Sequence, residues 1–346
     1  MAETDVKTEI VPIRLFSSSS PHIRSSDNTA RIMWTVNAAL LPSAAAAGYF
    51  FGFRSLLLIL ISIAAAVITE ALIQKYILKV DVTVSDGSAV LTGILLAFNV
   101  PPEVPLWLPA LGSIFAIAIV KQCFGGLGYN IFNPALAGRA FLLAAYPVYM
   151  TTKWTVPQGG LIDAGIMGVD AVTKATPLAA LKAAIRDTTP FQLGWENILD
   201  VFLGKAGGCI GETSALLLLI GGLFLLWRKI ITWHIPVSYM ATVFLLTLFG
   251  QLLTGHNFMV PVFHLVAGGL MLGVFFMATD YTTSPVTPLG RIIFGIGCGI
   301  FTVIIRLFGG YPEGVSYSIL LMNAATPIID RHTIPKKFGE VKTKKG

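Results

Sequence analysis

Apolar runs long enough to cross a bilayer govern what this chain can fold into. About 20 residues of helix span the roughly 30 Å of hydrocarbon, and candidate runs occupy 34–53, 55–78, 107–122, 130–149, 213–229, 235–253, 262–278, 290–308 and 315–329. A tenth run, Ala89–Val100, has only 12 residues, about 18 Å as a helix. It stops at Pro101-Pro102, which cannot extend one, and so reads as a half-span or a broken helix. Only 12% of the residues are charged, against about 25% in a soluble domain, which leaves too little polar surface for a fold covered by water. The chain is expected to be an all-α, polytopic membrane protein of about ten transmembrane helices.

Ten crossings put both termini on one side, and charge selects the side. With the termini inside, sixteen of the 24 Lys and Arg are cytoplasmic and seven lie outside, five of those in the long segment 150–211. Short cytoplasmic loops retain Lys and Arg, so both termini are expected in the cytoplasm and 150–211 outside it. The net charge of +6 is accounted for in this way and does not signal nucleic-acid binding. The first 33 residues are polar and contain no signal-peptide core. The expected divisions are a cytoplasmic N-terminal segment 1–33, a five-helix membrane repeat 34–149, the extracytoplasmic segment 150–211, a second five-helix repeat 212–329 and a basic cytoplasmic tail 330–346. The halves share a loose pattern. LTGILLAFN at 91–99 is similar to MLGVFFMAT at 271–279, and Gly125-Gly126 corresponds to Gly309-Gly310. An odd number of spans per half inverts one half against the other, and broken helices in such five-plus-five inverted repeats point to a midplane site.

The sharpest local signal is Asp170-Ala-Val-Thr173-Lys174-Ala175-Thr176-Pro177 followed by an Ala/Leu-rich helix. Thr176 is a helix N-cap and Pro177 occupies the first helical position, where its missing N–H costs nothing. Capping alone explains such a threonine. A phosphate on its hydroxyl would also face free N–H groups and the positive end of the helix dipole, and Lys174 would add a positive charge nearby. The stretch resembles the flavinylation motif Asp-x-x-[Ser/Thr]-Gly-Ala-Thr of the family formed by the B subunit of the sodium-pumping NADH:quinone reductase and the D subunit of the Rnf complex. Asp170, Thr173 and Ala175 match, and Lys174 stands in place of the glycine. Ser85-Asp86-Gly87-Ser88, Gly128-Tyr129-Asn130-Ile131-Phe132-Asn133-Pro134-Ala135 and Met277-Ala278-Thr279-Asp280 extend the resemblance over most of the membrane part. The short N-terminal segment is more similar to the Rnf protein.

The resemblance implies FMN joined by a phosphoester to Thr176, attached by a separate flavin transferase. It also implies a second, non-covalent flavin (riboflavin or FMN) in the membrane portion, and partner subunits of an Rnf-type complex in a bacterial or archaeal plasma membrane. Such a chain would be an electron-carrying subunit that couples ferredoxin:NAD electron transfer to Na⁺ or H⁺ movement, with no catalytic residues of its own. Asn99 and Asp280, at the ends of apolar runs, are the candidates for the second flavin or an ion path, and Asp280 reads equally well as a turn-terminating residue. Arg139, in mid-span, requires a counter-charge or a ligand. Cys123, Cys209 and Cys298 form no CxxC, and the histidines show no haem-like pairing, so no metal site is expected. The competing reading is a urea- or ammonium-type solute channel without covalent flavin, which has no need of the threonine motif.

Overall fold

The computed structural model describes residues 27–154, 157, 176–186, 193–212, 214–254, 258–310 and 313–335. Among these there is no strand. The helices are α1 (Thr29–Phe51), α2 (Phe53–Leu72), α3 (Ser88–Phe98), α4 (Trp107–Phe115), α5 (Pro134–Ala145), α6 (Pro147–Thr152), α7 (Pro177–Arg186), α8 (Trp195–Leu203), α9 (Ala215–Trp227), α10 (His234–Thr254), α11 (Met259–Val266), α12 (Leu270–Leu272), α13 (Pro288–Phe308) and α14 (Val315–His332). Wider π-helical turns extend α2 over Ile73–Leu78, α4 over Ala116–Gln122 and α12 over Gly273–Met277.

The helix starts follow local chemistry. Asn28 accepts from the Arg31 N–H at 2.8 Å, Asn133 from the Ala135 and Leu136 N–H groups, and Thr287 from the Gly290 N–H at 3.0 Å. Pro134 and Pro288 follow two of these caps at the first helical position, where proline is preorganised for a helix. The Asn133 cap also corrects the expected span 130–149. The residues before Asn133 are not helical, and the helix ends at Ala145 before restarting at Pro147 as α6.

Among the described residues, three helices, Phe53–Leu78, His234–Leu253 and Pro288–Phe308, are long and apolar enough to cross a membrane, and four shorter apolar helices accompany them. The expected unbroken span 262–278 is instead two helices bent by 59°. Ala267 is extended and Gly268 and Gly269 have φ of 69° and 66°, a left-handed conformation that glycine adopts without a Cβ clash. Large apolar side chains such as Leu60, Ile68, Leu245, Phe249 and Leu253 remain exposed, as expected where lipid replaces water. The protein is an all-helical, polytopic membrane protein, although helix length alone does not yield ten crossings.

Among the described residues, α1 to α5 come before the 150–211 segment and α9 to α14 after it. α3 is short, with 11 residues, and α11 and α12 form the bent pair. A buried cation stands late in each group. Lys121, near the end of the extended α4, donates to Glu70 at 2.8 Å and to the Ser88 hydroxyl at the start of α3 at 2.7 Å. Arg306, near the end of α13, donates to the His264 and Ala267 carbonyls at the α11–α12 break, at 2.5 and 2.9 Å. Each cation is followed within about a turn by the Gly-Gly pair that the sequence pattern matches.

Candidate functional site

Thr176 stands at the N-terminus of α7, and its Oγ1 accepts from the Ala179 N–H at 3.2 Å while its carbonyl accepts from Ala180 at 2.9 Å. The expected N-cap is therefore present. Leu178 and Leu181 bury the apolar face of α7 against Val260, Phe263 and Ala267 of the α11 region, and Lys182 donates to the Gly309 carbonyl. These contacts fix the short helix, and with it the threonine. Thr176 is only 4% exposed, but it opens into a cavity of about 230 Å³.

Residues far apart in sequence build the rest of that cavity. Leu143 of α5, Met150 of α6, Trp154 and Tyr317 of α14 supply apolar and aromatic wall, and Arg139 and Glu313 supply charge. Arg139 donates through Nη2 to Glu313 Oε2 and through Nη1 to the Ser316 hydroxyl. The counter-charge that a mid-span arginine requires is thus Glu313, itself buried. Two atoms of this pair, Arg139 Nε and Glu313 Oε1, are buried with no hydrogen-bond partner among the described residues. Pairing of buried polar atoms is close to universal in folded proteins, and both orphans are enclosed with almost no accessible surface.

Behind the pair, ligand-type atoms of Cys209, Glu212 and Glu313 lie within 4.8 Å of one another. Glu313 is already paired with Arg139, and Glu212 is within electrostatic reach of both Arg139 and Arg306. Two guanidiniums thus balance two carboxylates, which removes the excess negative charge that would draw a divalent ion.

A second cleft lies among α3, α5 and the Gly273–Met277 turn, lined by Ser88, Lys121, Asn130, Asn133, Phe275 and Asp280. Asp280 terminates its turn, its carboxylate accepting from Thr282 Oγ1 at 3.0 Å and Thr283 Oγ1 at 3.3 Å. Burial pushes this carboxyl above the ordinary carboxylate value, and the threonine hydrogen bonds offset part of that rise. Asn130 donates to Thr282 at 2.9 Å and leaves its own Oδ1 without a hydrogen-bond partner among the described residues. Asn99 does not line this cleft. Its side chain donates to the Leu95 carbonyl at 2.6 Å and reaches Met277 Sδ at 3.8 Å, where the C-terminal ends of α3 and the Gly273–Met277 turn meet. Asn99 and Asp280, which the sequence suggests as one pair, occupy separate places.

Asp170, Thr173, Lys174 and Ala175 lie outside the described residues. The sequence offers Lys174 as the positive charge for Thr176, whereas the cavity also holds Arg139, distant in the chain. Glu313, Ser316 and Tyr317 belong to the same cavity, and no local motif connects them to residue 176. The uncompensated charge of Arg139 is the one signal in the sequence that an acid has to lie nearby.

A sequence model of the NQR2, RnfD, RnfE family matches residues 16–339. The chain is 54% identical over 335 residues to the D subunit of the Na(+)-translocating ferredoxin:NAD(+) oxidoreductase complex of Acetobacterium woodii, covering 96% of this chain and 98% of that protein. It is 49% identical over 341 residues to the D subunit of the proton-translocating ferredoxin:NAD(+) oxidoreductase complex of Clostridium ljungdahlii, covering 98% and 99%. With the D subunit of the ion-translocating oxidoreductase complex of Escherichia coli K12 it shares 38% identity over 351 residues, covering 94% and 98%. Family match and near-complete coverage agree with the fold, and the chain belongs to the NQR2, RnfD, RnfE family.

Proposed function

We propose that this chain is the electron-carrying membrane subunit of an ion-translocating ferredoxin:NAD oxidoreductase and that it holds FMN by a phosphoester to Thr176. The observation that carries this reading is the placement of Thr176, a hydroxyl at the electropositive end of α7 that lines a cavity with apolar and aromatic walls and the Arg139–Glu313 pair. That combination suits FMN. Bound there, FMN would have the N-terminal end of α7 beside its phosphate, with Leu143, Met150, Trp154 and Tyr317 as apolar and aromatic lining and Arg139 and Glu313 as charged lining. Bound FMN supplies one- and two-electron chemistry, while the protein sets its position and electrostatic surroundings.

The remaining parts of the reading rest on the family resemblance and on the charge pattern of the loops. The chain works beside other subunits of an Rnf-type complex and is matured by a flavin transferase. Its two halves of five membrane units are inverted against each other, with both termini cytoplasmic and the Thr176 segment outside. A second, non-covalent flavin, riboflavin or FMN, in the membrane portion belongs to the same reading. The relatives' names divide between Na⁺ and protons, and either ion is compatible with the coupling proposed.

The test is flavin fluorescence of the denatured protein in a gel, after expression with the flavin transferase. The wild-type band should fluoresce and the Thr176→Ala band should be dark, with a flavin-bearing peptide containing residue 176 in a digest of the wild type. A dark wild-type band would overturn the reading and favour the solute-channel alternative.

A further inference from the structure

We propose that a groove between α1 and α9, at the membrane boundary, binds one anionic phospholipid. The groove has a volume of about 430 Å³ and is lined by Arg31, Trp34 and Ala38 of α1 and by Phe224, Trp227 and Arg228 at the end of α9. It lies at the start of one helix and the end of the other, on the side where loop charge predicts the cytoplasm. Deeper along both helices the backbones meet, and a Cβ on Gly221 would come within 2.6 Å of the Ala39 carbonyl oxygen.

Charge selects the class of ligand. Among the described residues that line the groove there are two guanidiniums and no carboxylate. Asp27 lies 3.5 Å from Arg31 Nη1, but both side chains are more than half exposed, and a pair so placed is screened by water and salt. Arg228 and its neighbour Lys229 are exposed and enter no ion pair among the described residues. The excess is positive, and guanidiniums favour phosphate oxygens, which they hold by paired, charge-assisted hydrogen bonds. A choline or ethanolamine headgroup would bring its ammonium against two like charges.

The surface below the arginines distinguishes a lipid from a soluble phosphate. Trp34, Ala38 and Leu41 on α1, and Ile220, Leu223, Phe224 and Trp227 on α9, are all exposed. Their spacings of three and four residues put each set on one helix face. Two apolar stripes therefore run from the arginines toward the bilayer interior, as acyl chains require, with tryptophan at headgroup level, where it is enriched. Trp34 is fixed there by its Nε1, which donates to the Ser85 carbonyl at 3.1 Å. Other faces of the same two helices, through Met33, Val36 and Leu225, line the Asp280 cleft, so a seated lipid backs one wall of that cleft.

The test is lipid binding to the delipidated full-length protein, read by native mass spectrometry with dioleoylphosphatidylglycerol and dioleoylphosphatidylcholine as probes. The glycerol lipid should bind about tenfold more tightly than the choline lipid, because each basic residue at a membrane surface adds to the attraction of an anionic headgroup. Arg31→Gln combined with Arg228→Gln should remove that preference, while thermal unfolding in phosphatidylcholine micelles stays as in the wild type. Soluble glycerol 3-phosphate, which has no acyl chains, should not displace the lipid. In the assembled complex, a photo-crosslinking residue in place of Trp227 should capture lipid. Equal affinity of the wild type for the two lipids would overturn the inference without any variant having to fold. A preference that survives in the folded double variant, displacement by glycerol 3-phosphate, or capture of another subunit at residue 227 would overturn it as well.

Discussion

Buried charges in this chain are held in two ways, in closed ion pairs and by neutral hydroxyl donors. The Glu70–Lys121 pair is almost completely enclosed, with each side chain 2% exposed, and Gln122 and Ser88 complete its hydrogen bonding. Removing one partner strands the other, a loss of about 3 to 5 kcal/mol, while replacing both with apolar residues of similar size is often neutral. Glu70→Ala should therefore unfold in detergent at clearly lower temperature than the wild type, and Glu70→Leu combined with Lys121→Met should recover most of the difference. Asp280 behaves differently, because its carboxyl is pushed up by burial and its oxygens rest on threonine donors instead of a cation. A carboxyl whose folded pKa is raised contributes stability below its unfolded pKa, about 3.9, and loses it as pH rises through the folded value. Asp280→Asn should flatten the fall of thermal stability over that window. If Asp280 lies on the ion path, the same variant lowers coupled cation transport in proteoliposomes and leaves covalent flavin intact; unchanged transport takes Asp280 off the path. Asp280, Arg139 and Thr176 are visible in the sequence, because a charge in an apolar run and a Thr-Pro before a helix are local signals. Glu313 is not visible in this way, since its meaning comes only from lying against Arg139.

Helices that cross lipid approach one another through small residues, and that places the energetic weight on particular glycines. A Cβ on Gly93 of α3 would come within 2.7 Å of the Ile63 Cα in α2, a backbone contact that no rotamer change can relieve. Gly93→Ala should therefore push α2 and α3 apart and cost about 1 to 3 kcal/mol, the usual range for overpacking. Gly250 of α10 is the control, because a Cβ there meets nothing within 4 Å, and Gly250→Ala should unfold at or above the wild-type temperature. The comparison is made by thermal unfolding in one detergent. Hydropathy reveals α2, α10 and α13 nearly to their ends, since a long apolar run has few alternatives to a membrane helix. It conceals the break between α11 and α12. Ala267-Gly268-Gly269 is as apolar as its neighbours, and only the positive φ values together with the Arg306 guanidinium gripping the freed carbonyls turn it into a bend.

At the scale of the whole molecule, the proposed function requires that Thr176 and the turn after α4 open on opposite sides of the membrane. Cysteine chemistry can read this directly, since Cys123 is exposed after the extended α4 while Cys209 and Cys298 are buried. The charge asymmetry predicts that Cys123 lies in the cytoplasm, among the short basic loops. A membrane-impermeant maleimide should therefore leave the wild-type protein unlabelled in intact cells and label it in inverted vesicles. In a Cys123→Ser background, Thr152→Cys on exposed α6 should show the reverse, because α6 sits beside the cavity that Thr176 enters, on the side where 150–211 emerges. Folded protein in which both probes label from the same side would break the opposed placement of the turn after α4 and the Thr176 segment. A flavin on Thr176 would then face the same compartment as the second cleft, with no membrane between them to be crossed by electrons. Labelling from opposite faces instead puts the turn after α4 and the cavity beside α6 on the two sides of the membrane, as the proposed function requires.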